Sequence, residues 1–256
     1  LLVRSLGLLL RLPLARAQSA PAEVVVWLLL GNAATYAAIA DFGLLPTCTR
    51  AVSFATARPS PAVAAVAMPL EGGLPLLVGT MRSMYRKAAL LTLAGALVAG
   101  LPALAGPIAA LDTRAAAWLA AASVLAGMAV AVLGNPYAAF LSGSGRVAAV
   151  QRTLAWTGGA AIVTGFLILM AGASIFAVIV AQQAWTAVGT LWLSRQADRA
   201  VEGCVYSQCG AGDARWRAWI WSGAWRSGMS TLLTAGALQA SNFLVAQIPD
   251  RAASAA

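Results

Sequence analysis

An all-α bundle of membrane-spanning helices is the fold class this sequence predicts, and three observations predict it. Hydrophobic residues make up 61% of the chain and charged residues only 10%, with a mean hydropathy of +0.80. A water-soluble domain carries about 25% charged residues, so a surface this poor in charge is solvated by lipid. No charge interrupts the chain from Thr153 to Ser194. As one helix that stretch would measure roughly 60 Å, about twice the hydrocarbon thickness, so it must turn back on itself. Finally, the basic residues gather in a few connections rather than spreading along the chain. At roughly 20 apolar residues per span, the 256 residues accommodate about six to seven transmembrane helices.

The chain opens on Leu1, and Leu6–Leu14, broken by Arg11, reads as part of a first helix. The alternative is a signal peptide, in which Arg4 and the apolar run precede Ala15-Arg16-Ala17. Val24–Ala40 is the second span, reaching Leu45 if Asp41 is tolerated. Thr47–Lys87 carries Pro59, Pro61, Pro69 and Pro75 with little polarity, and is expected in the interface or as extensions of its neighbours. Ala88–Leu111 is a third span that Pro102 and Pro107 kink or end. Ala115–Leu133 is a fourth, stopped by Gly134-Asn135-Pro136. The charge-free stretch supplies the fifth and sixth, with its turn at Ala171-Gly172-Ala173-Ser174, and Ser227–Ile248 is the seventh.

Arg50, Arg58, Arg82, Arg86, Lys87, Arg146, Arg152, Arg195, Arg199, Arg215, Arg217 and Arg226 fall in one set of alternate connections. Only Arg16, Arg114 and Arg251 fall in the other. Basic residues are retained on the cytoplasmic side of membrane proteins, so the first set is expected there. The net charge of +9 therefore reports topology and not nucleic-acid binding. Arg215-Trp216-Arg217-Ala218-Trp219-Ile220-Trp221, with Trp225-Arg226, reads as an anchor at the headgroup level of an anionic leaflet.

Catalytic and cofactor chemistry finds little support. The chain has no His and eight acids, and no two acids share a span, so no acid/base pair or nucleophile emerges. Cys48, Cys204 and Cys209 fall short of a four-ligand zinc site and read as reduced thiols. Gly143-Ser144-Gly145 follows a helix and lacks the Lys-Ser/Thr of a nucleotide-binding loop. No enzyme, metal or cofactor is expected. Within the spans, Gln182, Gln183, Gln239, Ser241 and Asn242 either join helices or line a polar cavity.

Three stretches carry a resemblance. Asp41-Phe42-Gly43, followed by Thr49-Arg50, resembles the DxGxxxxxxR signature at the end of the second helix of polysaccharide and O-antigen flippases. Pro136-Tyr137 with Gly143, Gly145 and Arg146, then Gln151-Arg152, resembles the fourth-to-fifth helix junction of that family. Ala22-Glu23-Val24 through Leu29 is similar to the start of its second helix. These flippases belong to the multidrug, oligosaccharidyl-lipid and polysaccharide exporter superfamily, whose members enclose a cavity between two lobes. The resemblance implies that residues 1–197 form a six-helix lobe. Residues 198–226 would be a Trp- and Arg-rich cytoplasmic linker, and 227–256 the first helix of a second lobe. The rest of that lobe would come from a longer chain or a second copy, and this chain alone is expected not to restore glycan export.

The implied function is translocation of undecaprenyl-diphosphate-linked oligosaccharide across the bacterial cytoplasmic (inner) membrane by alternating access. Polysaccharide polymerase and glycosyltransferases would be neighbours in the same process. The alternatives are a cation-coupled multidrug exporter and a membrane-embedded enzyme of cell-surface polysaccharide assembly. Arginine binds phosphate in a bidentate fork, so Arg50 and Arg146, then Arg226, are the expected diphosphate contacts. Asp41, Gln239 and Asn242 complete the expected substrate-binding set.

Overall fold

A chain that buries its backbone polar groups within each segment has helices as its natural element in lipid, and helices are what these residues form. The computed structural model describes residues 20–33, 41–57, 73–200 and 212–247, and every regular element among them is helical. In chain order they are α1 (Pro21–Ala33), α2 (Leu44–Thr56), α3 (Gly73–Gly95), α4 (Leu101–Ala109), α5 (Arg114–Gly143), α6 (Val147–Met170), α7 (Ile175–Asp198) and α8 (Ala214–Gln247). The expected spans at Leu6–Leu14 and over 34–40, with Arg16, Arg58, Pro59, Pro61, Pro69, Cys204, Cys209 and Arg251, lie outside the described residues.

Three of these helices, α5, α6 and α7, are long and apolar enough to cross a membrane. The pair α3 and α4, bent by 41°, makes a fourth if it is one span. The bend has a local cause. Pro102 has no N–H to give, and immediately before it Ala96–Gly100 widens into a π-turn. The expected kink therefore comes at Pro102, while Pro107 is carried inside α4. Between α6 and α7 the chain reverses at Ala171–Ser174, where Gly172 takes φ 71° and the Ser174 hydroxyl accepts from Phe176 N.

One expectation is corrected. Gly134-Asn135-Pro136 does not end α5, which continues to Gly143. Its 30 residues measure about 45 Å, more than the hydrocarbon thickness. Each of the three expected breakers is supported by a neighbour. Pro136 is buried in the packed interior, where a helix tolerates proline. Gly134 admits Thr190 of α7, and the Asn135 side chain bonds across to another segment.

Packing follows from small residues. A Cβ on Gly127 would meet the Gln183 amide, and one on Gly134 would meet Thr190, so the same register recurs one heptad later on both helices. Helices α5 and α7 therefore run parallel along a seven-residue seam. Helix α6, between them in sequence, returns antiparallel and packs on α7 through Gly189 against Thr157, Trp185 Nε1 donating to Thr164, and Gln196 donating to Thr153. The outer side of α6 exposes Leu154, Trp156, Val163, Leu167 and Met170, an apolar surface that water would not tolerate over such a length.

The helices α5 and α7 thread two cores. One joins α1, Ile108 and Leu111 to the first half of α5 and the start of α7. The other joins α2, α3, the second half of α5, Val150, the end of α7 and Trp216, Ile220 and Ala224 of α8. This second core lies under the segments that hold Arg50, Arg82, Arg86, Lys87, Arg146, Arg152, Arg195, Arg199, Arg215, Arg217 and Arg226, most of them on helices rather than in the expected connections. Segments separated in sequence thus converge on one end of the bundle. The other end holds Asp112 and Arg114, with Thr113 donating to Glu23 across α1 and α5.

Candidate functional site

Deeper in the bundle than the basic end, beside Asn135 of α5, the chain enters α2 through a backbone bend at Asp41–Gly43. Phe42 takes φ 42° and Gly43 φ 71°, left-handed values that suit glycine and cost a residue with a side chain. The bend puts the Asp41 carboxylate over the first turn of α2, where its Oδ2 accepts from Leu45 N at 2.9 Å. Tyr85 of α3 donates its hydroxyl to Oδ1 at 3.0 Å, and Asn135 of α5 donates its side-chain NH2 to the same oxygen at 2.9 Å. Asp41 is 8% exposed, so a costly group in an apolar interior is held by three donors from three helices.

The other face of the bend rests on α8. A Cβ on Gly43 would lie 2.6 Å from Gly228 N, and one on Gly228 would lie 2.6 Å from the Phe42 carbonyl oxygen. The two glycines let the backbones touch. Phe42 then stacks on Trp221 at 5.8 Å between ring centroids and leans on Trp225 at 6.1 Å. One turn further along α2, Thr47 contacts Gly223.

At its other end α2 meets the α5–α6 hairpin. The missing Cβ of Gly143 admits the Thr49 carbonyl and Val52, which brings Arg50 beside the end of α5. An open groove of about 470 Å³ runs between the three helices. Helix α2 contributes Leu45, Pro46, Thr49 and Arg50, α5 contributes Ala138 and Ser142, and α6 contributes Val150, Gln151 and Leu154. The lining contains one guanidinium and no acid.

The expected site residues separate into four groups. Arg50 lines the groove, and Arg146 stands exposed at the hairpin turn beside it, just after Gly145 at φ 83°. Arg226 is exposed on α8 between Gly223 and Gly228, the two glycines that touch α2. Asp41 is committed to Leu45, Tyr85 and Asn135 and does not line the groove. Gln239 and Asn242 fall on the α8 backbone, with their side chains outside the described residues.

The structure adds Tyr85, Asn135, Ser142 and Gln151, which sequence reasoning did not select. Asn135 was legible in principle, because an amide in the middle of an apolar run needs a partner. Reading Asn-Pro as a helix stop hid it. Ser142 carried no signal beyond its position beside the Gly143–Arg146 turn, and Gln151 entered only as part of the junction motif, with no site role. No protein-family model matches the chain, and no curated protein or solved structure matches it either.

Proposed function

We propose that this chain is one lobe of a transporter that moves undecaprenyl-diphosphate-linked oligosaccharide across the bacterial inner membrane. The observation that carries the reading is the junction of two of the stretches that resemble flippases. Thr49 and Arg50 lie against Gly143 and Ser142, at the end of the bundle that collects the basic residues. In the proposed topology that end faces the cytoplasm, where basic residues are retained and lipid-linked sugars are assembled. About six to seven spans form the lobe and the first helix of its partner lobe. The phosphates of the cargo meet Arg50 and Arg146 and then Arg226, because guanidinium offers them a bidentate fork.

The test is translocation of a fluorescent undecaprenyl-diphosphate glycan across proteoliposomes that contain the full-length protein. The fraction protected from an external quencher should change with time, and Arg50→Lys with Arg146→Lys should slow this by about tenfold, since Lys keeps the charge but loses the fork. A wild-type protein no faster than empty vesicles would overturn the proposal. Unchanged rates in the Lys variants would reduce both arginines to topological markers. A second reading, a cation-coupled exporter, is favoured by the buried Asp41 carboxylate. It requires uptake of an organic cation that Asp41→Asn abolishes while glycan translocation is absent throughout.

A further inference from the structure

We infer that the side of α6 and α7 turned away from the groove is a binding site for an anionic phospholipid of the surrounding bilayer. The inference stands apart from the identity of the cargo and survives if the flippase reading fails.

The face follows from the register of the two helices. Thr153, Thr157 and Thr164 of α6 meet Gln196, Gly189 and Trp185 of α7, which fixes a contact line on each helix. At 3.6 residues per turn, Arg152 and Trp156 leave α6 on one side of that line, while Leu154, which lines the groove, leaves on the other. On α7, Trp192 and Arg195 are displaced from the line in the same rotational sense. Because the helices are antiparallel, that puts them on the same side as Arg152 and Trp156. All four side chains are exposed, Trp156 by 74% and Trp192 by 56%.

The depth of the face follows from the same registers. Thr157 opposite Gly189 sets Trp156 level with Trp192, and Gly134 opposite Thr190 sets both level with Pro136 of α5. Trp118, exposed near the opposite end of α5, lies 18 residues before Pro136, about 27 Å along the helix. Tryptophan collects at the two membrane–water boundaries, and this separation agrees with a hydrocarbon thickness of about 30 Å. Trp156 and Trp192 therefore mark the boundary on the basic side. Arg152 and Arg195 stand about one turn beyond it, at the level of lipid phosphates. The exposed Val163 and Val188 lie deeper, among the acyl chains.

The headgroup level selects charge. Two guanidinium groups from neighbouring helices offer a phosphodiester ten N–H donors, the arrangement in which a basic surface between helices holds an anionic headgroup. Asp198, the one acid on either helix, is half-buried. The ammonium of a zwitterionic lipid thus finds no exposed carboxylate on these helices, whereas an uncompensated phosphate meets two cations. Below the phosphate, the indoles present apolar faces to the first methylenes and N–H edges to the ester carbonyls.

Native mass spectrometry of the full-length protein tests the site, with dioleoyl phosphatidylglycerol and dioleoyl phosphatidylethanolamine supplied at equal concentration. The most tightly held lipid should be phosphatidylglycerol, by about tenfold. Arg152→Gln with Arg195→Gln should abolish that preference. Arg86→Gln with Lys87→Gln, an equal change of charge on exposed positions of α3, should leave it intact. Trp156→Ala with Trp192→Ala changes no charge and should weaken retention of phosphatidylglycerol about threefold or more. Equal losses in the two charge variants would show bulk charge alone and overturn the inference. So would equal retention of the two lipids, full retention in the Trp variant, or displacement of the lipid by equimolar glycerol 1-phosphate, which carries the phosphate without the chains. Glycan translocation measured on the same samples bears on the flippase alone. Its absence beside an intact lipid preference refutes the transporter and leaves the lipid site.

Discussion

At the scale of single residues, Gly143 at the basic end is a contact point and Gly158 on the lipid-facing helix is not. A Cβ on Gly143 would sit 2.6 Å from the Thr49 carbonyl and from Val52 Cβ, and neither atom belongs to a flexible side-chain end. Gly143→Ala should therefore destabilise the protein by about 1–3 kcal/mol through overpacking. Gly158, on α6, has nothing within 4 Å of its would-be Cβ, and Gly158→Ala should be neutral or stabilise by up to about 1 kcal/mol through helix propensity. Thermal unfolding of the two variants in detergent reads the contrast, and equal effects would disprove the close approach of α2 to α5. Tyr85→Phe removes one of three donors from the buried Asp41 carboxylate, at a cost of about 1–3 kcal/mol, seen as a lower unfolding midpoint with the fold retained. Phe42 was legible in sequence only as the variable position of a motif. Its left-handed backbone and its stack on Trp221 depend on Gly228, far along the chain.

At the scale of elements, the spacing of α5 against α7 gives a sharp test. Gly134 lies so close to Thr190 that an ideal Cβ on the glycine is 3.5 Å from the threonine Cβ, within the range a disulfide spans. In a background with Cys48, Cys204 and Cys209 replaced, Gly134→Cys with Thr190→Cys should cross-link on mild oxidation. Gly134→Cys with Ala197→Cys, one heptad out of register, should not. Cross-linking of the second pair in place of the first would break the parallel seam. The turn at Ala171–Ser174 was readable from sequence because the length of an uncharged run is itself a constraint in a bilayer. The continuation of α5 through Pro136 was not. Breaker residues report a local cost, while Thr190 and Asp41, which justify Gly134 and Asn135, come from distant segments.

For the whole molecule, the sorting of arginines along the chain becomes a sorting of ends. The expectation that alternate connections share a side of the membrane was legible from charge alone. The physical counterpart is the core that gathers α2, α3, α5, α7 and α8 under them. Single cysteines at Ser53, Ala148 and Ala218, all exposed at the basic end, should resist a membrane-impermeant maleimide applied to intact cells and react after the membrane is opened. Cysteines at Asp112 and Ala173, exposed at the other end, should react at once. The reverse pattern would invert the orientation. The groove, by contrast, was not legible, because it is assembled from three helices whose polar positions have no common spacing in the sequence.

The clasp on Asp41 also sets a schedule for biosynthesis. Its two side-chain donors lie 44 and 94 positions downstream, and a ribosome adds roughly 5–20 residues per second. About 5–20 s therefore separate the synthesis of this carboxylate from that of Asn135. Until then the Asp41–Gly43 bend has no reason to leave water or the insertion machinery. Nascent chains arrested before residue 135 should accordingly keep a cysteine at Leu45 open to a water-soluble reagent, and chains extended past it should close it off. Insertion of this helix is thus timed by the synthesis of a later one.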